Sequence, residues 1–160
     1  MAQKFTLLNL IRPRLRPFGR PAAGAKKKRR KKSSEKIDWQ KAPDLDKRVY
    51  QLIKGCDLEY VNKIRVFCYR STNSKTRAYA RIWGLNKLWQ RTLEVEPAYI
   101  LEVISEKYDR LSPEQKDMIL VHELMHIPKN FSGALLPHRG GRMYEHRVRE
   151  VYNRFASKVK

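Results

Sequence analysis

The sequence predicts an α+β fold in which a small sheet, mixed or antiparallel, packs against one central helix and a C-terminal helix. Stretches rich in β-branched and aromatic residues lie before residue 105, and such stretches are typical of strands. After them, apolar residues recur at helical spacing in residues 113–127 and again from residue 141 onward. Strands followed by helices indicate the α+β class, and 160 residues suit one domain.

The first 36 residues predict a basic tail outside that domain. Residues 1–34 contain 12 Lys and Arg and no acidic residue, within a total net charge of +20. Such a segment cannot bury a core, so we expect residues 1–36 to be disordered or extended and residues 37–160 to fold, with the boundary near Ser33 and Ser34. The tail contains seven consecutive basic residues: Lys26, Lys27, Lys28, Arg29, Arg30, Lys31 and Lys32.

This charge favours a polyanionic partner. DNA or RNA is the first interpretation and an anionic membrane surface the second, while the alternative is a solubilising tail without a fixed partner. The remaining residues are also basic, with 24 Lys and Arg against 16 Asp and Glu.

The folded part begins with a predicted helix from Pro43 to Lys54, which Gly55 ends. A strand from Tyr60 to Arg70 follows, and a second strand from Arg77 to Trp83 is predicted to pair with it as a hairpin across the turn at 71–74. Residues 85–95 fit either a strand or a short helix.

A third strand is predicted from Ala98 to Ser105. If its edge is exposed, an extended peptide can add to it as a further strand. The alternative is an interior strand.

The central helix is predicted from Pro113 to Ile127 and is ended by Pro128. Ser112, Pro113 and Gln115 form the pattern of an N-cap, a first-turn proline and a capping box. A loop over residues 129–141 then leads to the final helix.

The central helix contains a His-Glu-x-x-His motif made by His122, Glu123 and His126. Histidines four residues apart lie on the same helix face and can bind one metal ion. Glu123 is rotated by about a third of a turn, so its carboxylate can reach a water on that metal. Two imidazoles, a water position and a general base are the components of a hydrolytic zinc site. The alternative is a buried helix with two core histidines and an incidental Glu.

A catalytic zinc ion usually takes three protein ligands. His138 is the first candidate, because it lies in a loop that must turn back after the helix ends. His146 and Glu145 on the final helix are the alternatives. Lys129 stands where the metzincin pattern requires glycine, which disfavours that class. Tyr144, Arg139 and Arg142 are candidates for stabilising an oxyanion.

A second functional hypothesis is a nucleic-acid or ribonucleoprotein binding protein, for example ribosome-associated, with a structural or vestigial zinc site. Aromatic residues near basic ones can stack on bases, although we expect core packing for these aromatics. The aromatics are Tyr69, Tyr79, Trp83 and Trp89, and the basic residues are Arg70, Arg77, Arg81 and Lys87.

Two cysteines, Cys56 and Cys68, are too few for a disulfide scaffold and predict buried thiols in a reducing compartment. No apolar run reaches the roughly 18 residues of a membrane span. We therefore expect a cytoplasmic protein, associated with the nucleoid or with ribonucleoprotein if the tail binds nucleic acid. The oligomeric state is not predicted.

The sequence from Tyr79 to Arg142 resembles the phage and archaeal metallopeptidase family, a small zincin group, and more distantly SprT-like proteases. The resemblance is carried by residues 80–85, 97–99, 122–128, 131–133 and 137–139. It implies a zincin-like fold, one zinc ion bound by His122, His126 and His138, Glu123 as general base, and hydrolysis of a protein or peptide. Some SprT-like proteins act on proteins trapped on DNA, with which a basic tail is compatible.

Overall fold

A computed structural model describes residues 36–138 and 141–158. It contains a four-stranded mixed sheet and five α-helices within these ranges, so the predicted α+β class is confirmed. The predicted tail lies outside the described residues, except for Lys36.

The sheet has the spatial order β1-β2-β4-β3. Its strands are β1 (Asp38–Lys41), β2 (Val66–Thr72), β3 (Ala80–Gly84) and β4 (Tyr99–Ile104). Strand β2 pairs antiparallel with β1 and parallel with β4, and β3 pairs antiparallel with β4. The sheet is therefore mixed, with β1 and β3 at its edges.

One prediction about strand pairing is wrong, and one of two open alternatives is decided. The strands predicted at 60–70 and 77–83 do not form a hairpin, because β4 lies between β2 and β3. The strand predicted at 98–105 is interior, so the open edge beside the cleft belongs to β3. Leu101 and Val103 of β4 are fully buried, and a central position lets them contact both neighbouring strands and the helices beneath.

The short strand β1 was not predicted, because all four of its residues are exposed and show no apolar alternation. Strand β2 begins later than predicted, since a 3₁₀ turn occupies Lys63–Arg65 and the Asn62 side chain caps that turn.

The five helices are α1 (Pro43–Gly55), α2 (Lys87–Leu93), α3 (Ser105–Tyr108), α4 (Pro113–Leu124) and α5 (Arg142–Lys158). Helices α1, α4 and α5 confirm the three predicted helices. The ambiguous segment at 85–95 forms α2, because the Asn86 side chain accepts hydrogen bonds from two N–H groups of its first turn. Helix α3 was not predicted. No described helix is long and apolar enough to cross a membrane.

The core lies between one face of the sheet and helices α1, α4 and α5. Along β2 and β4, alternate side chains enter this core, among them Val66, Cys68, Leu101 and Val103. From the helices, Leu52, Leu120 and Val148 meet them with no exposed surface. Both cysteines are free and buried, as predicted. The opposite face of the sheet carries exposed side chains.

Leu120 tests the contribution of helix α4 to this core. It is fully buried, and its replacement by Ala removes apolar contacts while keeping a strong helix former. We expect Leu120→Ala to lower the free energy of unfolding by about 2–5 kcal/mol in urea titrations. Leu88→Ala is the matched control, because Leu88 is also helical but 74% exposed. Equal losses in the two variants would contradict the assignment of the core.

Candidate metal centre and adjoining cleft

Helix α4 presents the two motif histidines from inside the core. Its N-terminus has the predicted capping box between Ser112 and Gln115. The α-helix ends at Leu124, and the next turn tightens, with the His126 N–H bonded to the Glu123 carbonyl at 3.1 Å. His122 and His126 are 3% and 5% exposed. Their rings remain on the same side of the helix despite its early end.

The loop after the helix brings His138 to both of them. The Nε2 atom of His138 lies 2.8 Å from that of His122 and 3.0 Å from that of His126, while the two motif nitrogens are 3.3 Å apart. Nitrogens around a tetrahedral zinc ion, at about 2.1 Å from it, lie about 3.4 Å from one another. This triangle of three nitrogens is therefore slightly tight, but it has the size required for one small cation.

Burial favours the neutral form of the imidazoles, strongly for His122 and His126 and less for the exposed His138. It lowers the pKa of His122 to about 3, with the neighbouring histidines adding to the effect, and it lowers the pKa of His126 and His138 as well. Neutral imidazole is the form that binds metals. The three Nε2 atoms converge on one point, where a cation can accept a lone pair from each ring. The three histidines thus fit a metal ion.

Hydrogen bonds to Leu136 fix both the loop and the tautomer of His126. The Leu136 N–H donates to the His126 carbonyl at 2.8 Å, and the Leu136 carbonyl oxygen lies 2.6 Å from His126 Nδ1. Because a carbonyl only accepts, Nδ1 carries the proton and Nε2 keeps its lone pair. This is the usual support around a metal-binding histidine.

A second set of contacts holds the loop against the sheet. The hydroxyl of buried Tyr99 accepts the Gly133 N–H at 2.8 Å and donates to the Ala134 carbonyl at 3.0 Å. Gly133 has a φ of +81°, and a Cβ added at Gly84 would lie 2.2 Å from the Gly133 carbonyl oxygen. The loop can therefore cross the end of β3 only because both residues are glycine.

Glu123 faces a cleft of about 400 Å³ that the three histidines also line. Burial raises the pKa of its carboxyl to about 7, although a hydrogen bond from the Ile82 backbone N–H opposes the shift. The residue remains half-buried because it borders the cleft. Glu123 therefore lines the same cleft as the three histidines.

The opposite wall of the cleft is the free edge of the sheet. Residues 78–83 line it, with Leu135 and Leu136 on the loop side. The backbone groups of Tyr79 and Leu85 bond to the β4 side of β3. By the alternation of an antiparallel ladder, those of Ala80, Ile82 and Gly84 point away from β4. Ile82 therefore offers its backbone to the cleft, in agreement with its bond to Glu123.

Residues 37–155 match the family model described as "Putative phage metallopeptidase". The chain belongs to this family. Searches of curated proteins and of solved structures found no match to it.

Tyr144 of this metallopeptidase-family chain packs against all three histidines. Its ring centroid lies 5.1 Å from that of His122, 5.3 Å from that of His126 and 5.5 Å from that of His138. Its hydroxyl donates to the His122 carbonyl at 3.4 Å. Burial, with the nearby Glu123 carboxylate, raises the pKa of this phenol. A role in oxyanion stabilisation stays a prediction, and Tyr144 also supports the imidazoles.

This support matters most for His122. Its Nδ1 atom is buried and has no hydrogen-bond partner in the described part of the chain. Packing by Tyr144 and the helix, rather than a hydrogen bond, therefore orients the ring. Of the other oxyanion candidates, Arg139 and the side chain of Arg142 lie outside the described residues.

The alternative third ligands do not join the histidine triangle. The His146 side chain is 73% exposed, and its Nδ1 atom lies 3.5 Å from the Glu150 carboxylate. Glu145 is half-buried on α5 and is not part of the group that can hold a metal. The geometry therefore supports His138 over both.

The aromatic residues named in the second hypothesis divide into two groups. Core packing was expected for all four, but Trp83 and Trp89 are 50% and 55% exposed, so the expectation is wrong for them. Tyr79 packs against the core and Tyr69 is half-buried.

The basic residues named with them are also divided. Arg70 bonds to Asp44 and Asp109, and Arg81 bonds to Glu102. Arg77 and Lys87 are exposed.

Tyr99 was missed as a positioning residue, although a tyrosine in an apolar strand needs a partner for its hydroxyl. Tyr99→Phe removes both hydrogen bonds to the loop that carries His138. We expect about 1–3 kcal/mol lower stability and weaker zinc binding in competition with a chromogenic chelator. Tyr50→Phe, at a partly exposed tyrosine of α1, is the control. Zinc affinity unchanged by Tyr99→Phe would argue against a loop held by this hydroxyl.

Proposed function

We propose that this chain is a zinc-dependent peptidase. His122, His126 and His138 hold one zinc ion, and Glu123 is the general base. One observation carries the proposal: three imidazole Nε2 atoms converge within 3.3 Å of one another beside a carboxyl group, in a cleft bounded by a free strand edge. Membership of a metallopeptidase family supports the same chemistry and implies a protein or peptide substrate.

Three imidazole ligands suit zinc, because nitrogen donors and a tetrahedral site with one open position are its usual catalytic environment. When bound, zinc supplies a Lewis acid that polarises the scissile carbonyl and lowers the pKa of a coordinated water to about 7. Proton transfer and stabilisation of the oxyanion are left to residues of the protein.

Glu123 takes the proton of the attacking water and passes it to the leaving amine. The raised pKa of its carboxyl, about 7, suits a group that must accept and then release a proton near neutral pH. The Ile82 N–H holds the carboxyl at the cleft wall. Tyr144, Arg139 and Arg142 remain the candidates for stabilising the oxyanion.

The substrate is proposed to bind as an extended strand along β3. The outward backbone groups of Ala80 and the Ile82 carbonyl can pair with a peptide, in the manner of β-augmentation. This assigns to β3 the role that the sequence suggested for residues 98–105. Side chains of such a peptide alternate between the metal side and the outer face of the sheet.

Recruitment to DNA or RNA through the tail is the further part of the proposal. Its basis is the acid-free charge of residues 1–34 and the block Lys26–Lys32.

We place the boundary between tail and domain at residues 36 and 37, and we propose a cytoplasmic location. The alternative is a nucleic-acid or ribonucleoprotein binding protein with a structural or vestigial zinc site.

Metal content tests the ligand set. Purified wild-type protein should contain about one zinc ion per chain by elemental analysis, and His138→Ala should lower the occupancy after dialysis. His146→Ala is the matched control, because this exposed histidine lies away from the triangle, and we expect full occupancy. Zinc kept without His138 but lost without His146 would move the third ligand to α5. No zinc in any variant, even after zinc is supplied, would favour the binding-protein alternative.

The role of Glu123 is tested separately from metal binding. Glu123→Gln keeps the shape of the side chain but cannot accept a proton, so we expect zinc to remain bound and peptide cleavage to fall by at least about 100-fold. Glu114→Gln is the control, since Glu114 lies exposed in the first turn of the same helix. Cleavage is followed with a quenched fluorescent peptide library. Full activity in Glu123→Gln would exclude this residue as the base.

A further inference from the structure

The outer face of the sheet, opposite the helices, carries an apolar patch made by Trp39, Phe67, Trp83 and Ile100. These side chains are 56%, 47%, 50% and 42% exposed. In the strand register Phe67 is opposite Ile100, and Ile100 is opposite Trp83. Partner residues lie on the same face, so the patch is continuous from β2 to β3. Exposed apolar groups in one patch mark an interaction site.

The buried carboxylate of Glu102 on β4 holds the two tryptophans. Its Oε1 atom accepts the indole N–H of Trp39 at 3.2 Å and a guanidinium N–H of Arg81 at 2.9 Å. Its Oε2 atom accepts the indole N–H of Trp83 at 2.9 Å. Burial alone would raise the pKa of Glu102, but hydrogen bonds that include those from Arg81 and Trp83 lower it, so the carboxylate stays ionised and keeps accepting.

This arrangement determines what the patch can recognise. The two indoles approach β4 from the two opposite edges of the sheet, on the same face, and border an open pocket of about 360 Å³, with Tyr69 and Ile100 beside them. Both indole N–H groups are already used by Glu102. The pocket therefore offers ring faces and apolar surface, with few groups left for hydrogen bonding. A flat aromatic ligand, stacked on an indole, fits this chemistry.

Two basic side chains border the patch, Lys41 and Arg81, and Arg81 is also ion-paired with Glu102. The Arg81 guanidinium lies 5.0 Å from the centre of the Trp83 ring. Lys41 is exposed and stands opposite Tyr69 in the register, on the same face. Asp38 is one residue from Trp39, so its side chain points to the other face of β1.

The basic tail precedes strand β1 in the sequence. Lys32 precedes Trp39 by seven residues, and a chain of that length spans at most about 25 Å. The seven basic residues Lys26–Lys32 therefore end within that distance of the patch. A ligand that stacks on Trp39 and carries negative charge can contact both.

We propose that this face of the sheet binds single-stranded nucleic acid, with bases stacked on Trp39 and Trp83 and the phosphates near Arg81 and Lys41. The net charge of +20 of the whole chain favours such a polyanion. A single strand is required because paired bases in a duplex do not present their faces to a flat protein surface. Stacking of this kind is tolerant of sequence. The site is separate from the histidine triangle and needs neither metal nor cleavage.

The test uses the full-length protein with three fluorescein-labelled probes: a 12-nucleotide oligodeoxythymidine, the matching oligouridine and a 12-base-pair duplex. Fluorescence anisotropy gives affinities at low and at moderate salt. Unlabelled oligonucleotides are used to follow quenching of the intrinsic tryptophan fluorescence, which reports stacking directly. We expect quenching by the single strands, and single-strand affinity above that for the duplex once salt weakens the tail contacts.

Ring-specific variants distinguish stacking from charge. Trp39→Leu and Trp83→Leu should each weaken single-strand binding by about tenfold, whereas Trp39→Phe should keep most of the affinity because a ring remains. Trp89→Leu is the matched control, since Trp89 is also 55% exposed but lies on α2 and outside the pocket. Thermal melts verify that each variant is folded, and the Phe variant keeps the test informative if a Leu variant is not.

Three outcomes would overturn the proposal. Equal affinities of wild type and the folded Trp39 and Trp83 variants would assign all binding to the tail. Equal weakening by Trp89→Leu would remove the link to this face. A concentration-dependent dimer that Trp39→Leu abolishes, without tryptophan quenching by oligonucleotides, would make the face an interface between copies. None of these readouts depends on peptide cleavage, so this proposal and the peptidase proposal fail independently.

Discussion

The two hydrogen bonds between His126 and Leu136 join the metal-binding helix to the loop that carries His138. One fixes the loop backbone to the end of the helix, and the other sets the tautomer that leaves His126 Nε2 with a free lone pair. His138 therefore reaches the other two histidines only when the loop adopts this conformation. The Tyr99 hydroxyl bonds to Gly133 and Ala134 of the same loop, so the loop is also attached to the central strand β4. In the proposed zinc site, metal binding would therefore be coupled to folding of the loop, as is usual for sites whose ligands come from distant elements.

The order of the strands decides which surface faces the metal. Because β4 takes the place beside β2, β3 becomes the edge, and its outward backbone groups lie along the cleft. The same arrangement brings Gly84 under the loop, where no larger residue fits. One choice of pairing therefore forms the cleft wall, frees a strand edge for an extended ligand and supports the loop with His138.

Trp83 borders both the metal cleft and the pocket on the outer face of the sheet. Glu102, which lies opposite Arg81 on the neighbouring strand β4, is 1% exposed and accepts hydrogen bonds from three side chains that come from both edges of the sheet. A buried charge with this many donors is stable, whereas the loss of one donor is costly because the charge stays buried. The rigidity of the edge strand and the orientation of both tryptophans thus rest on one carboxylate.

The sequence by itself determined the features that depend on neighbours along the chain. The capping box, the apolar periodicity and the four-residue spacing of His122 and His126 are local, so the helix and its motif could be predicted directly. The path of the loop is not local: His138 was one of three candidates, and contacts with Leu136 and Tyr99 bring it to the other two histidines. Strand order likewise depends on which strand can be paired and buried on both sides. The turn residues at 71–74 carry no information about this. The sequence also could not predict that Trp83 is exposed, because tertiary packing decides which face of a sheet the helices cover.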